Sequence, residues 1–368
     1  MNGHDEIGRS VREAIGFSRL HDDERRDGAM VGIQEVAEAA GVSTATVSRA
    51  LSGNGHVSET TKARVTSAAA LLGYVVSSNA SSLATGRTRN IGVVIPFLNR
   101  WFFSSVLEGA ESSLLSNGYD LTLYNVGGGG EERRSVFEHF LLRKRVDAVV
   151  AISLELTPVE LAGLLALGKP IVGVGGPLVG VRTFSIDDVA VARLATEHLL
   201  ALGHVSIAHI GGDQESERDF HLPTNRRVGY EAALEAAGIS PDPSLFKSAD
   251  FTIAGGYGAA KQLFGNPRTR PTAVFAASDE MAIGTILAAR DLGLRVPHDI
   301  SVVGIDDHEL SGFFGLTTVA QFPELQGRLA VELLMDELHP DRRSFGSSNT
   351  PLPFELIVRS STARPVAR

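Results

Sequence analysis

Residues 33–51, IQEVAEAAGVSTATVSRAL, constrain the fold of this chain more than any other segment. Apolar residues recur at helical spacing up to Ala40, and Ser43 is suited to cap a second helix. Between them, Gly41 favours the positive φ that ends a helix, and the small Ala37 lets two helices cross closely. The segment therefore predicts a DNA-reading helix-turn-helix rather than a generic helical hairpin.

The second predicted helix carries short and mostly polar side chains on its outward face. Groups of this size can meet base edges or phosphates in a groove of DNA. We expect the DNA contacts to come from Ser43, Thr44, Ala45, Thr46, Ser48 and Arg49. Ser58 is suited to cap a third helix that ends at Gly73.

From residue 91 onward, buried strands alternate with helices in two series that divide near residue 187. The predicted strands are 91–96, 120–125, 148–152, 171–174, 207–210, 272–276 and 301–305. The predicted helices are 104–116, 131–143, 161–167, 190–202, 226–237 and 280–292. Each series predicts a parallel sheet wrapped by helices, and two such units form a ligand-binding cleft at the carboxyl ends of their strands.

Charge and cysteine content narrow the possible classes of protein. The net charge is −9, but residues 31–90 carry five Lys and Arg against three Asp and Glu. Only the N-terminal part would attract phosphate, and its excess is modest, so we expect two copies to act together on DNA. The absence of Cys suits a reducing cytoplasm, and no membrane span or signal peptide is expected.

Motifs that suggest enzyme chemistry fail on inspection. The segment at 163–170, GLLALGKP, lacks the Ser/Thr of a phosphate-binding loop, and the glycines at 127–130 lack dinucleotide-binding spacing. Asp306, Asp307 and His308 are adjacent in a predicted loop, where neighbours point apart, so we expect a structural or hinge role. His204 and His209 have no third partner and are interpreted as ordinary positions. We expect no catalytic residue, no metal and no cofactor.

The longer motifs resemble the lactose-repressor (LacI/GalR) family of bacterial transcription regulators. They include VAEAAGVSTATVSRALSG, SSLATGRTRNIGVVIP, RVGYEAALEAAGI, PTAVFAASDEMAIG and LRVPHDISVVGIDD, and the resemblance covers roughly residues 31–362. It implies an N-terminal all-α helix-turn-helix domain plus an α/β periplasmic-binding-protein-like core of two doubly wound parallel-sheet subdomains. The chain would cross three times between the subdomains.

Candidate effector-binding residues come from the cleft loops and from this resemblance. Trp101 and Phe102 follow the first strand, and one of these rings is expected to line the cleft or to pack in the core. The resemblance implies ligand contacts at the remaining candidates, Arg226, Phe251, Asp279 and Gln321. Many relatives carry a ligand-binding Asp where this chain has Gly175 and Gly176, which removes an acceptor or opens room for a larger effector.

The linker resembles the family's hinge helix, and Leu83 resembles the residue that wedges into the minor groove of DNA. The expected domains are 1–30, a disordered extension or mis-assigned start; 31–76, the DNA-binding domain; 77–90, the hinge helix and linker; 91–187 with 317–347, the core N-subdomain; and 188–316 with 348–368, the core C-subdomain.

The resemblance implies a cytoplasmic, nucleoid-associated repressor. It would bind a pseudo-palindromic double-stranded operator as a homodimer and be released by a small sugar-like effector. Two alternatives stay open at this stage: a sugar-binding module without DNA activity, and a co-repressor-dependent regulator with a purine-like effector.

Overall fold

The computed structural model describes residues 31–52, 56–74, 86–127, 130–143, 145–212, 221–339 and 349–366. The chain divides into two compact units, with the division after Thr85. The extension 1–30 and the hinge position Leu83 lie outside the described residues.

The first unit contains three described helices: α1 (Ile33–Ala40), α2 (Thr44–Ser52) and α3 (Glu59–Leu72). Gly41 has a φ of 62°, and its N–H donates to the carbonyl oxygens of residues 37 and 38, which ends α1 as predicted. One valine from each helix is fully buried in a shared core: Val36, Val47 and Val65. Burying each such side chain contributes about 1.5–3 kcal/mol, so this core holds the three helices together.

Both predicted serine caps are present. The Oγ atom of Ser43 accepts the N–H of Thr46 at 3.2 Å, and the Oγ atom of Ser58 accepts the N–H of Thr61 at 3.3 Å. These bonds satisfy donors that the first turn of a helix otherwise leaves unpaired.

The second unit alternates strands with helices. Its described strands are β1 (Asn90–Ile95), β2 (Asp120–Asn125), β3 (Ala148–Ile152), β4 (Ile171–Val174), β5 (Arg182–Ser185), β6 (Ile207–Gly212), β7 (Phe246–Ala249), β8 (Ala273–Ala276), β9 (Ser301–Asp306), β10 (Thr317–Ala320), β11 (Asn349–Pro351) and β12 (Glu355–Ile357). Its described α-helices are α4 (Trp101–Ser116), α5 (Glu131–Ser135), α6 (Pro158–Leu165), α7 (Asp188–Ala201), α8 (Leu222–Ala236), α9 (Ile253–Phe264), α10 (Asp279–Asp291), α11 (Ser311–Phe314) and α12 (Pro323–Leu338). The single helix predicted over 131–143 continues after α5 as a π-helical turn over 136–140 and a 3₁₀ turn over 141–143.

The strands form two six-stranded sheets with the same order. One runs β2-β1-β3-β4-β5-β11 and the other β7-β6-β8-β9-β10-β12. The described pairs are parallel except for β10 with β12. In each sheet the order reverses beside the first strand of the series, and this switch point opens a crevice at the carboxyl ends of the strands.

Three crossings join the subdomains within the described residues, as the resemblance implied: 186–187, 321–322 and 352–354. Two expected boundaries need correction. Residues 317–320 were assigned to the N-subdomain, but β10 pairs with β9 in the second sheet. Residues 349–351 were assigned to the C-subdomain, but β11 pairs with β5 in the first sheet. The N-subdomain below therefore means β1–β5 and β11 with their helices and α12; the C-subdomain means β6–β10 and β12 with theirs.

Helices α4 and α12 pack closely enough to require glycine on both sides. A Cβ atom added at Gly109 would lie 2.0 Å from the carbonyl oxygen of Glu324, and one at Gly327 would lie 1.9 Å from that of Val106. The contact closes the N-subdomain core with a helix from late in the chain.

His209 is a fully buried histidine in β6, as its interpretation as an ordinary position allows. Its ring stacks on Phe275 with centroids 4.7 Å apart, and its Nδ1 donates to the carbonyl oxygen of Phe275 at 3.1 Å. Its Nε2 has no partner among the described residues. Burial lowers the pKa of His209 to about 3, so the folded chain holds this ring neutral.

We expect the free energy of unfolding to fall as pH falls from 6.5 toward 3. In that range the unfolded chain binds a proton at His209 and the folded chain does not, which costs about 1.4 kcal/mol per pH unit. Urea denaturation of the wild-type chain and of His209→Leu should give stabilities that diverge with pH in this window. Parallel curves for the two chains would contradict the assignment.

Candidate functional site

Helix α2 presents the residues expected to contact DNA. The exposed ones are Ser43, Thr44, Ala45, Ser48 and Arg49, whereas Thr46 is half-buried. Thr46 and Ser43 share a hydroxyl hydrogen bond of 3.0 Å, so these two side chains stabilise the helix start. The Nε atom of Arg49 donates to the carbonyl oxygen of Ala45 at 3.1 Å, which holds the guanidinium along the helix surface.

The second unit contains a cavity of about 680 Å³ between its subdomains. Its walls come from the loops after β1, β3, β7 and β8, the end of β9 and the start of α8, which are the carboxyl ends of the strands at both switch points. The volume is in the range of pockets that hold small organic molecules. The N-subdomain contributes Phe97, Arg100, Phe102, Phe103 and Ser153 to the lining.

Four of the six expected effector-binding residues line this cavity: Phe102, Arg226, Phe251 and Gln321. Arg226, only 2% exposed, donates from Nε to the Oδ1 of Asp188 at 2.8 Å and from Nη1 to the carbonyl oxygen of Ala277. No described residue partners its Nη2, which leaves that donor for another group. Phe251 lies against the backbone of Gly212, where a Cβ would approach the ring to 2.3 Å.

The other two expected residues, Trp101 and Asp279, do not line this cavity. Trp101 begins α4 and packs against His308 of the C-subdomain, with ring centroids 4.8 Å apart and the ring planes tilted by 35°. Asp279 is fully buried at the start of α10, and both of its carboxylate oxygens accept hydrogen bonds from the protein. Because its acceptors are already used away from the cavity, Asp279 anchors the fold here.

Sequence reasoning missed Glu280 and Arg100, and it gave Asp306 a structural or hinge role. All three line the cavity. The signal in the sequence was their position: Glu280 and Arg100 lie four and five residues after strands β8 and β1, and Asp306 is the last residue of β9. Arg100 donates from Nη1 to the carbonyl oxygen of Phe251 at 3.4 Å and so joins the two subdomains across the cavity.

The cavity carboxyl groups have raised pKa values. Burial is the largest cause that raises the pKa of Glu280 to about 7, and the charge of Asp306 is the next. The charge of Arg100 and a hydrogen bond from the backbone N–H of Trp101 oppose the shift. Burial also raises the pKa of Asp306, whose Oδ1 accepts a hydrogen bond from Gln321. Groups with shifted pKa values in a cleft are typical of functional sites.

Residues 306–308 form a strained turn, the elbow, and their side chains point in three directions. Asp306 and Asp307 have φ values of 131° and 57°, which side chains other than glycine rarely adopt. Asp306 faces the cavity, Asp307 pairs with Arg359 at 2.7 Å and His308 packs against Trp101. The elbow thus joins the cavity wall to a contact between the subdomains, and the structural or hinge role expected for it stays a prediction.

A three-helix unit with an exposed reading helix, on the same chain as a two-subdomain ligand cavity, defines a class of DNA-binding regulators. Comparison with known proteins agrees. Residues 32–77 match the family model of bacterial regulatory proteins, lacI family, and residues 196–362 match the periplasmic binding protein-like domain.

Individual relatives extend the match over the chain. The HTH-type transcriptional repressor CytR of Escherichia coli (strain K12) is 33% identical over 90% of this chain and 96% of its own length. The repressor PurR of Vibrio atlanticus (strain LGP32) is 36% identical over 84% and 92%. The Lac repressor dimer bound to operator and the anti-inducer ONPF superposes with a TM-score of 0.78, at 29% identity over 91% of this chain and 100% of that one.

The chain belongs to the lacI family of bacterial regulatory proteins. It is a ligand-responsive DNA-binding transcriptional repressor and not an enzyme. None of its described helices has the length and apolar character needed to cross a membrane.

Trp101 is the only tryptophan of the chain, so tryptophan fluorescence reports on the contact of α4 with His308 and Glu280 of the C-subdomain. We expect its emission to change with a midpoint near pH 7, because the Glu280 carboxyl group accepts the backbone N–H of Trp101, so it lies near the indole ring and ionises near that pH. Glu280→Gln should remove this transition. A transition that persists unchanged in Glu280→Gln would assign it to another group.

Proposed function

We propose that this repressor binds a pseudo-palindromic operator as a homodimer through α2 of each subunit and is released by a small sugar-like effector held in the 680 Å³ cavity. The cavity is the observation that carries the effector part of the proposal. It combines aromatic faces with charged donors and acceptors, as recognition of a polar ring requires. We place the protein in the cytoplasm, at the nucleoid, where its operator would be.

In this proposal Phe102 and Phe251 contact the faces of the effector, while Arg226 and Gln321 contact its polar groups, together with Glu280 and Asp306. The Nη2 of Arg226, which Asp188 and Ala277 leave free, suits one hydroxyl oxygen of the effector. Two related structures support a sugar: a CelR–cellobiose complex, 32% identical with a TM-score of 0.66, and an Enterococcus faecium regulator with bound ribose, 27% identical with a TM-score of 0.66. Flat aromatic faces also suit a purine base, and the PurR relatives favour testing one.

The effector would act by changing the spacing between the subdomains. Phe102 lies beside Trp101, and Asp306 lies two residues before His308, so a molecule held between Phe102 and Asp306 would set how Trp101 and His308 meet. Leu83 and the hinge helix would then pass the change to the DNA-binding unit. Such coupling is reciprocal, because effector and operator each alter the affinity for the other.

Operator binding is expected to depend on α2. Thr44→Ala combined with Arg49→Ala should weaken binding to DNA selected from random sequences by the wild-type protein by about 100-fold or more, because base contacts are worth about 1–3 kcal/mol each. Fluorescence anisotropy measures the affinity, and the response to ligands should be unchanged.

The matched control removes the same residue types from α3. Arg64→Ala with Thr66→Ala should weaken selected and unselected DNA alike and leave the preference intact. Equal loss of preference in both double variants would contradict a reading role for α2.

Ligand response is expected to depend on Arg226. A thermal-shift screen against cellobiose, ribose, guanine and mannitol should identify a stabilising compound, and a sugar is the expected one. Arg226→Gln with Asp188→Asn should abolish that shift but keep operator binding. The double change avoids an unpaired buried carboxylate, which alone would cost about 3–5 kcal/mol.

Arg227 provides the control for this variant. It lies next to Arg226 on α8 but pairs with Glu231 at 2.7 Å, and it does not line the cavity. Arg227→Gln should therefore keep the ligand shift. If guanine alone among the screened compounds raises the melting temperature of the wild-type chain, the effector is purine-like and not a sugar.

A further inference from the structure

Ser153 is a strained, buried residue that faces the cavity. It directly follows β3, has a φ of 43° and is 2% exposed. Its backbone N–H donates to the carbonyl oxygen of Val174 at 2.7 Å, and no hydrogen bond among the described residues involves its hydroxyl. The side chain lines the cavity, so the hydroxyl is available to a molecule there.

Gly175, on the neighbouring strand end, leaves the space that Ser153 occupies. A Cβ atom at position 175 would lie 2.2 Å from the Ser153 Oγ, and Gly175 itself has a φ of 89°. Any larger residue there would displace the hydroxyl. Two unusual backbone conformations on adjacent strand ends therefore place a single hydroxyl at the cavity wall.

The N-subdomain side of the cavity offers few polar groups. Among the described residues that it contributes, Arg100 and Ser153 are the polar ones, and Arg100 already donates to the carbonyl oxygen of Phe251. The charged groups of the lining otherwise belong to the C-subdomain: Arg226, Asp250, Glu280 and Asp306.

We infer that Ser153 is a specificity-determining residue of the effector site, placed by Gly175 to hydrogen-bond a neutral hydroxyl group of the effector. A serine hydroxyl both donates and accepts, so it matches a sugar or polyol hydroxyl in either orientation. The charged groups of the effector site would then all come from the C-subdomain, except for Arg100 of the N-subdomain. This inference rests on the proposed effector role of the cavity.

Chemical labelling tests whether the side chain at 153 faces the cavity. The natural chain has no cysteine, so Ser153→Cys gives a single thiol. Methyl methanethiosulfonate transfers its CH₃S group to the thiolate, which forms a disulfide and releases methanesulfinate. We expect the Ser153→Cys protein to react at least about 100-fold faster than Ala151→Cys, because Ala151 is fully buried in the preceding strand β3 and does not line the cavity. Equal rates in folded proteins would overturn the inference.

Stability and binding separate a contact role from a structural one. Ser153→Gly should melt at or above the wild-type temperature, because glycine adopts this φ without strain and the hydroxyl makes no bond in the fold. Its affinity for cellobiose or ribose, whichever stabilises the wild-type chain, should fall about tenfold, the effect of one hydrogen bond. A lower melting temperature, or an unchanged affinity, would overturn the inference. If neither sugar binds the wild-type chain, the sugar proposal fails, and the labelling rates still decide the placement of Ser153.

Discussion

The effector cavity depends on the buried carboxylate of Asp279. Its Oδ2 accepts the N–H of His308 at 3.0 Å and the hydroxyl of Ser311 at 2.6 Å, and its Oδ1 accepts the hydroxyl of Thr318 at 2.7 Å. Burial and the nearby Asp306 raise the pKa of Asp279, so these hydrogen bonds offset a large desolvation cost. By fixing three segments at one point, the carboxylate keeps the strained Asp306 facing the cavity.

In the proposed mechanism, the same anchor would connect ligand recognition to movement of the subdomains. The elbow that Asp279 holds contains both a cavity carboxylate and the ring that packs against Trp101. Asp306 at the cavity wall and His308 at the intersubdomain contact are two residues apart, so in the proposed mechanism they would respond together, because the anchored backbone between them allows little independent adjustment. The backbone N–H of Trp101 also donates to the carboxyl group of Glu280, another cavity residue, so the first residue of α4 makes two contacts with the C-subdomain.

Most of the fold follows from periodicity, whereas the details of the site do not. Strands 120–125, 148–152 and 171–174 have the predicted bounds because each is a short apolar or alternating run between turn signals. The range 317–347 is expected in the N-subdomain, but residues 317–320 form β10 of the second sheet, because so short a run carries no information about its pairing partner. Asp279, Glu280 and Asp306 are all acids at strand ends. Which of them faces the cavity depends on backbone angles such as the φ of 131° at Asp306, and spacing does not encode those angles.

The position of α12 has a consequence for how the protein is made. This helix packs on α4 through Gly109 and Gly327, and β11 completes the first sheet, yet both follow the whole of the C-subdomain except β12 in the sequence. During synthesis the N-subdomain therefore lacks a core helix and an edge strand until residues 323–351 have left the ribosome. The C-subdomain also waits for β12, so neither half can finish folding before the other has been translated.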